Sequence, residues 1–128
     1  MQLHSIVQAN KQVIDFVNNW PDKEQPFHIK QNLLLTKYIG TLDVATSRFN
    51  TILLRLSEHP IMQSDFENSV LDCQNVIHKF YINTCRLTQW PKFTQSYLKW
   101  RLHRLGTRQI PKIKKTLNIV LTTIDGAH

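Results

Sequence analysis

Hydrophobic residues along the chain recur at alternating three- and four-residue steps, which is the spacing of one face of an α-helix. The clearest stripe runs from Phe66 to Leu87. A capping-box sequence precedes it, in which Ser64 would cap the first turn and Glu67 would reach back to it. Five such stripes predict five helices, over residues 2–20, 27–59, 65–89, 92–105 and 109–124.

The second predicted helix is the longest. Its stripe begins at Leu34 and continues to Leu56, a seam typical of a long helix packed in a bundle. Gly40 lies inside it and costs about 1 kcal/mol relative to alanine in a helix interior. Because the stripe continues on both sides of Gly40, we predict one helix. Prolines that directly follow an apparent helix end mark three predicted boundaries, at Pro21, Pro60 and Pro91.

The last predicted helix has an alternative interpretation. Residues 109–124 are rich in β-branched side chains, and the segment begins with the alternating pattern of a strand. Gly106 is expected to end the preceding helix as a C′ residue, and Pro111 is expected in the first turn of the next. No strand-like alternation with hairpin turns occurs elsewhere. The predicted fold class is therefore all-α, a single-domain bundle of four to five helices over residues 1–128, with one long helix near residues 27–59.

Charge is divided unequally between two parts of the chain. The 128 residues include 16 Lys and Arg and 9 Asp and Glu, for a net charge of +7. Residues 1–72 hold six basic and eight acidic residues, whereas residues 73–124 hold ten basic residues and no carboxylate. We therefore expect a strongly positive potential over one side of the bundle, where it attracts polyanions. A hydrophobic content of 41% excludes a disordered chain.

Three roles fit such a basic face. Nucleic acid is the favoured partner, because phosphate backbones bind Lys and Arg without regard to sequence. An acidic protein surface is the main alternative. The third role is a solvated face that keeps the protein soluble or contacts an anionic membrane.

The fourth predicted helix carries two apolar stripes, one of leucines and one largely aromatic, more than about 100° apart around the helix. The leucine stripe comprises Leu98, Leu102 and Leu105, and the aromatic stripe comprises Phe93, Tyr97, Trp100 and Arg104. If the aromatic stripe is exposed, Tyr97 and Trp100 form a stacking platform for unpaired bases. In the alternative, Phe93 and Trp100 pack in the core against the third helix. The sequence leaves both interpretations open.

A second candidate phosphate site lies between the last two predicted helices. The turn Gly106-Thr107-Arg108 would leave free N–H groups at the start of the last helix, with Lys112 in its first turn. Such N–H groups bind phosphate oxygens. A plain helix end followed by a helix start accounts for the same residues.

Motifs for catalysis or cofactor binding do not occur in the sequence. The chain has no P-loop, dinucleotide-binding, zinc-protease or serine-hydrolase motif. No two histidines have the i, i+4 spacing of a metal-binding pair. We therefore expect no enzymatic activity, no cofactor and no metal.

Cysteine usage and hydropathy bear on the cellular compartment. Cys73 and Cys85 lie about 18 Å apart along one predicted helix, which is too far for a disulfide. Two unpaired thiols favour an intracellular, reducing compartment, the cytoplasm or the nucleoid or nucleus. No apolar run is long enough for a membrane span, and the first residues lack the pattern of a signal peptide.

Together these observations predict a non-enzymatic accessory protein that binds DNA or RNA with low sequence specificity. The alternative is a helical adaptor or inhibitor that docks on an acidic protein surface, and the apolar seams also allow a homodimer. The predicted nucleic-acid contacts are eight cations and two aromatic residues: Lys92, Lys99, Arg101, Arg104, Arg108, Lys112, Lys114, Lys115, Tyr97 and Trp100.

Overall fold

The computed structural model describes residues 2–20, 33–89 and 92–126, with side chains in the last range described from Gln95 onward. The α-helices are α1 (Leu3–Asn18), α2 (Leu33–Ser57), α3 (Pro60–Asp65), α4 (Glu67–Gln89), α5 (Lys92–Arg104) and α6 (Ile110–Asp125). A π-helical segment, Leu105–Gln109, joins α5 to α6. No strand occurs in these ranges, so the all-α bundle is confirmed and the strand alternative for residues 109–124 is excluded.

The long second helix is confirmed over its described part. α2 runs without interruption through Gly40, which is exposed, so the missing side chain leaves no gap in the core. Residues 27–32 of the predicted helix lie outside the described residues, as do the predicted boundaries at Pro21 and Pro91. The buried apolar residues of α2 are Leu35, Tyr38, Ile39, Leu42, Ala45, Phe49, Ile52, Leu53 and Leu56.

The predicted capping box at Ser64 is wrong. Ser64 lies inside α3, which begins at Pro60, where a fixed φ and a missing N–H suit the first turn of a helix. Helical hydrogen bonds continue past the short break between α3 and α4. The N–H of Phe66 donates to the carbonyl of Met62 (3.2 Å), and the N–H of Val70 donates to the carbonyl of Phe66 (2.9 Å). Ser64 therefore lies in the last turn of α3 and does not occupy an N-cap position.

The predicted helix end at Gly106 is also wrong. The backbone stays helical through Leu105–Gln109, and the N–H of Ile110 donates to the carbonyl of Leu105, five residues earlier. Pro111 supplies a physical reason for the π-helical hydrogen bond. It has no N–H, and in a regular α-helix its ring clashes with the carbonyl four residues before it. A π-helical turn just before the proline accommodates the ring without ending the helix.

Residues 92–125 therefore form one continuous helical stretch with a single buried stripe. The stripe advances by three or four residues except between Leu105 and Ile110, where a step of five matches the i→i+5 hydrogen bond of the π-helical segment. Its members are Leu98, Leu102, Leu105, Ile110, Ile113, Leu117, Val120 and Ile124.

The core lies between α2, α4 and the α5–α6 stretch. α1 packs mainly on α2, where the Asn10 side-chain amide donates to the carbonyl of Thr46 (3.2 Å). Tyr38 of α2 and Phe80 of α4 make an edge-to-face contact with ring centroids 5.8 Å apart. α6 contacts both α2 and α4, whereas α5 packs mainly on α4. Much of the α5 surface consequently faces solvent.

Candidate nucleic-acid interface

The leucine and aromatic stripes of α5 have opposite environments. Leu98 and Leu102 are fully buried, whereas Tyr97 and Trp100 are 56% and 55% exposed. Because α5 packs mainly on α4, only one of its two apolar stripes is covered. The exposed interpretation is therefore correct for Tyr97 and Trp100, and the core alternative for Trp100 is wrong. The side chain of Phe93 lies outside the described residues.

Two arginines lie against this exposed aromatic pair. The ring centroids of Tyr97 and Trp100 are 6.2 Å apart, and their planes are inclined by 32°. The guanidinium carbon of Arg104 lies 5.6 Å from the Trp100 ring centroid, within the range of a cation–π contact. Nη1 of Arg101 donates to the Tyr97 hydroxyl at 3.5 Å. Three- and four-residue spacings bring these side chains together on one helix face.

Trp100 and Arg104 border two open grooves. The first groove, of about 180 Å³, is lined by Lys79, Trp100, Arg101, Arg104, Leu105 and Gln109. The second groove, of about 190 Å³, is lined by Trp100, His103, Arg104, Thr107 and Arg108. The two grooves share Trp100 and Arg104, which therefore stand between them. We name the cations and rings of this region the Trp100 surface, comprising Lys79, Tyr97, Trp100, Arg101, Arg104 and Arg108.

The Trp100 surface is strongly positive. Its four cations have no carboxylate partner in the part of the chain that the structure describes. The preceding acidic residue on α4, Asp72, lies two helical turns before Lys79, or about 10 Å along the axis. Asp125, the one acidic side chain after Lys79 in the sequence, pairs with Arg55 at 3.3 Å. Within the ranges that the structure describes, no paired carboxylate neutralises this positive potential, which is available to an anionic partner.

The structure brings some of the predicted contacts together and disperses the others. Those that it brings together are Tyr97, Trp100, Arg101, Arg104 and Arg108. Lys99 is half-buried on α5 and lines neither groove. On α6, Lys112 and Lys115 are exposed, and Lys114 is half-buried at about 200° around the helix from Lys112. The Lys92 side chain lies outside the described residues.

The predicted backbone phosphate site at Gly106-Thr107-Arg108 is wrong. These residues belong to the π-helical segment, so no helix begins at this point and no first turn leaves its N–H groups free there. Thr107 and Arg108 contribute instead through their side chains, which line the second groove. The Thr107 hydroxyl donates to the carbonyl of His103 (2.8 Å).

Three polar groove-lining residues, Lys79, His103 and Gln109, are not among the contacts predicted from the sequence. Lys79 belongs to α4, which runs antiparallel to α5 and the π-helical segment, so that Gly106 lies beside Phe80. This pairing places Lys79 at the level of the arginines. Lys79 is also one of the ten cations of the acid-free half of the chain, the one sequence signal that could have identified it.

The thiols of α4 are poorly suited to nucleophilic chemistry. Cys73 is buried, and burial, with a smaller contribution from the Asp72 carboxylate, raises the pKa of its thiol to about 12. Burial also raises the pKa of the half-buried Cys85 thiol. Neither cysteine forms a disulfide, as predicted. Both thiols are therefore protonated at neutral pH, whereas the thiolate is the nucleophilic form.

The described ranges, residues 2–20, 33–89 and 92–126, contain neither a metal-binding cluster nor a membrane-spanning helix. No group of three His, Cys, Asp or Glu side chains within them is placed to hold a metal ion. No helix within them is both long enough and apolar enough to cross a membrane.

Comparison with known proteins gives no relative from which function could be transferred. The chain matches no protein-family model, no curated protein and no solved structure. Function is therefore inferred from the chemistry of the Trp100 surface.

Proposed function

We propose that this protein binds nucleic acid through the Trp100 surface, as a non-enzymatic accessory protein. The observation that most supports this function is the grouping of four cations, without carboxylate partners among the described residues, around two open grooves. Lysine and arginine bind phosphate oxygens through charge-assisted hydrogen bonds, and arginine does so with a planar pair of donors. A chain of regularly spaced phosphates can meet several of these cations at once.

Phosphate binding of this kind depends strongly on salt. Each neutralised phosphate releases condensed counterions, so the log–log slope of affinity against salt is about −0.9 per contact on a duplex and about −0.7 on a single strand. Four contacts give slopes of about −3.6 and about −2.8, respectively. Between about 50 and 200 mM salt, the affinity then falls about 150-fold for a duplex and about 50-fold for a single strand.

Little sequence specificity is expected. Sequence is read through contacts to base edges, most often by a helix placed in the major groove. The Trp100 surface offers long cationic side chains and flat rings, which suit phosphates and base faces that all sequences share. Oligonucleotides of equal length and different sequence should therefore bind with similar affinity.

A paired charge reversal tests the proposal. Arg101→Glu combined with Arg104→Glu removes two cations from the Trp100 surface and adds two anions. Lys11→Glu combined with Arg48→Glu is the matched control, because both residues are exposed on α1 and α2, line neither groove, and give the same change in net charge. Affinity for labelled oligonucleotides is measured by fluorescence anisotropy at about 50 mM salt.

The Trp100-surface variant should lose at least about tenfold in affinity on every sequence, whereas the control variant should change by less than about threefold. Equal losses in the two variants would mean that net charge, not this surface, drives binding. Unchanged binding in both variants would place the site elsewhere. If the parent protein binds no oligonucleotide at all, an acidic protein surface becomes the favoured partner. The parent protein and the control variant should then capture that partner, and the Trp100-surface variant should not.

A further inference from the structure

We infer that the nucleic acid bound by the Trp100 surface is single-stranded, with an unpaired base stacked on the Tyr97–Trp100 pair. This inference rests on the proposed function and adds the strand form to it. The observations that carry it are the exposure of the two aromatic rings and the position of one of them, Trp100, where the two cation-lined grooves meet.

The exposed rings contribute little to the core of the bundle. Tyr97 and Trp100 each expose more than half of their surface, while Leu98 and Leu102 on the same helix are fully buried and cover α4. The leucine stripe is thus the side by which α5 packs on the bundle. Flat aromatic rings beside arginines form the arrangement on which bases of single-stranded nucleic acids stack.

The position of Trp100 indicates where such a base would lie. Trp100 and Arg104 line both grooves, so a strand whose phosphates meet cations in both grooves passes over the indole ring. Along this path, Lys79 and Arg101 lie in the groove on one side of the indole ring, and Arg108 lies in the groove on the other. In a duplex the base faces are stacked on one another, and only edges and backbone meet a protein surface. An unpaired base can turn its face to the ring.

Arg101 and Arg104 contact the aromatic rings in a way that lets them leave the rings and bind phosphates instead. Arg104 is exposed, and its guanidinium carbon is 5.6 Å from the Trp100 centroid. Arg101 reaches the Tyr97 hydroxyl at 3.5 Å, which is long for a hydrogen bond. Charge-assisted hydrogen bonds to phosphate are shorter and stronger. When Arg104 moves from the ring to a phosphate, one face of the indole becomes free for a base.

Substitution of Trp100 separates stacking from phosphate binding. Trp100→Ala removes the ring and leaves all four cations, and Trp100→Phe keeps a smaller ring. Ile119→Ala is the control, because Ile119 is a 65% exposed apolar residue on α6 that lines neither groove. The substituted side chains are exposed, so all three variants should fold, which circular dichroism and urea unfolding check. The probes are a labelled oligothymidine strand and a labelled mixed-sequence duplex of equal length.

The parent protein should bind the single strand more tightly than the duplex. Trp100→Ala should weaken single-strand binding by about 5- to 150-fold, the effect of losing one base–aromatic stack, and should change duplex binding by less than about twofold. The salt slope on the single strand should stay the same, because no cation is lost. Trp100→Phe should restore most of the affinity, and Ile119→Ala should match the parent.

Three results would overturn this inference while leaving salt-dependent nucleic-acid binding intact. They are tighter binding of the duplex than of the single strand, equal losses on the two probes in Trp100→Ala, and no loss on either probe in that variant. Failure of the parent protein to bind either probe would overturn the proposed function as well.

Discussion

Replacement of Gly106 by alanine should stabilise the protein, because Gly106 lies within a continuous helical stretch. Alanine is favoured over glycine in a helix interior by about 0.8–1.0 kcal/mol. A Cβ at Gly106 would lie 3.6 Å from Cε2 of Phe80, an ordinary van der Waals distance, so the methyl group makes contact without displacing the ring. We therefore expect the free energy of unfolding to rise by about 0.5–1 kcal/mol.

A glycine that ended the helix would give the opposite sign, since alanine in the left-handed conformation costs about 1–2 kcal/mol. Urea unfolding followed by circular dichroism distinguishes the two cases. With a slope near 2 kcal/mol per M, the predicted gain raises the midpoint by about 0.25–0.5 M. Gly40→Ala is the control, because a Cβ there meets no atom within 4 Å and the propensity gain alone remains. A lower midpoint for Gly106→Ala, with a higher midpoint for Gly40→Ala, would refute the continuous helix.

Two further predictions concern the core and the buried thiol. Leu102 is fully buried, so Leu102→Ala should lower the free energy of unfolding by about 2–5 kcal/mol in urea titrations, and a loss below about 1 kcal/mol would contradict its burial. The pKa of Cys73 is raised from 9.0 to about 12 by folding. Because the unfolded chain ionises first, the stability that this shift contributes should be constant below about pH 8 and should be lost between about pH 9 and pH 12. The free energy of unfolding, measured in urea at about pH 8 and pH 10.5, should fall less in Cys73→Ala than in the parent protein. An equal fall in both proteins would mean that other groups cause the loss of stability.

The helices and their buried faces could be predicted from the sequence, because a three- and four-residue period identifies the side that packs. The stripe of α4 from Val70 to Leu87 is the side that the structure buries. Asn10 shows the limit of such patterns. It interrupts the apolar stripe of α1, yet it is buried, because its amide donates to the carbonyl of Thr46 on α2. No local pattern reveals a contact between residues this far apart in the chain.

The wrong predictions at Ser64 and Gly106 have a common cause. In each case a short sequence signal for a helix boundary is overridden by neighbouring residues that favour a continuing helix. Ser64 has the sequence of a helix cap, but Pro60 has already begun a helix four residues earlier. Gly106 has the sequence of a helix end, but Leu105 and Ile110 on either side both face the core. The five-residue step between them is the signal of a π-helical turn that keeps one stripe buried through a proline-containing segment.

The candidate site could be predicted only in part. The spacing of Tyr97, Trp100 and Arg104 places them on one face of a helix, and the acid-free half of the chain identifies the positive side of the bundle. Exposure of the rings, however, depends on how many helices pack against α5, which is a property of the assembled bundle. Lys79 joins the site only through the antiparallel pairing of α4 with α5 and the π-helical segment.

Salt dependence of binding tests the central claim most directly. The measurement is fluorescence anisotropy of the parent protein with a labelled single-stranded oligonucleotide, titrated at several salt concentrations between about 50 and 200 mM. Four phosphate contacts by the Trp100 surface predict a log–log slope of about −2.8, or about a 50-fold loss of affinity across this range. Absence of binding at the lowest salt concentration, or binding that does not change with salt, would contradict recognition of phosphates by these cations.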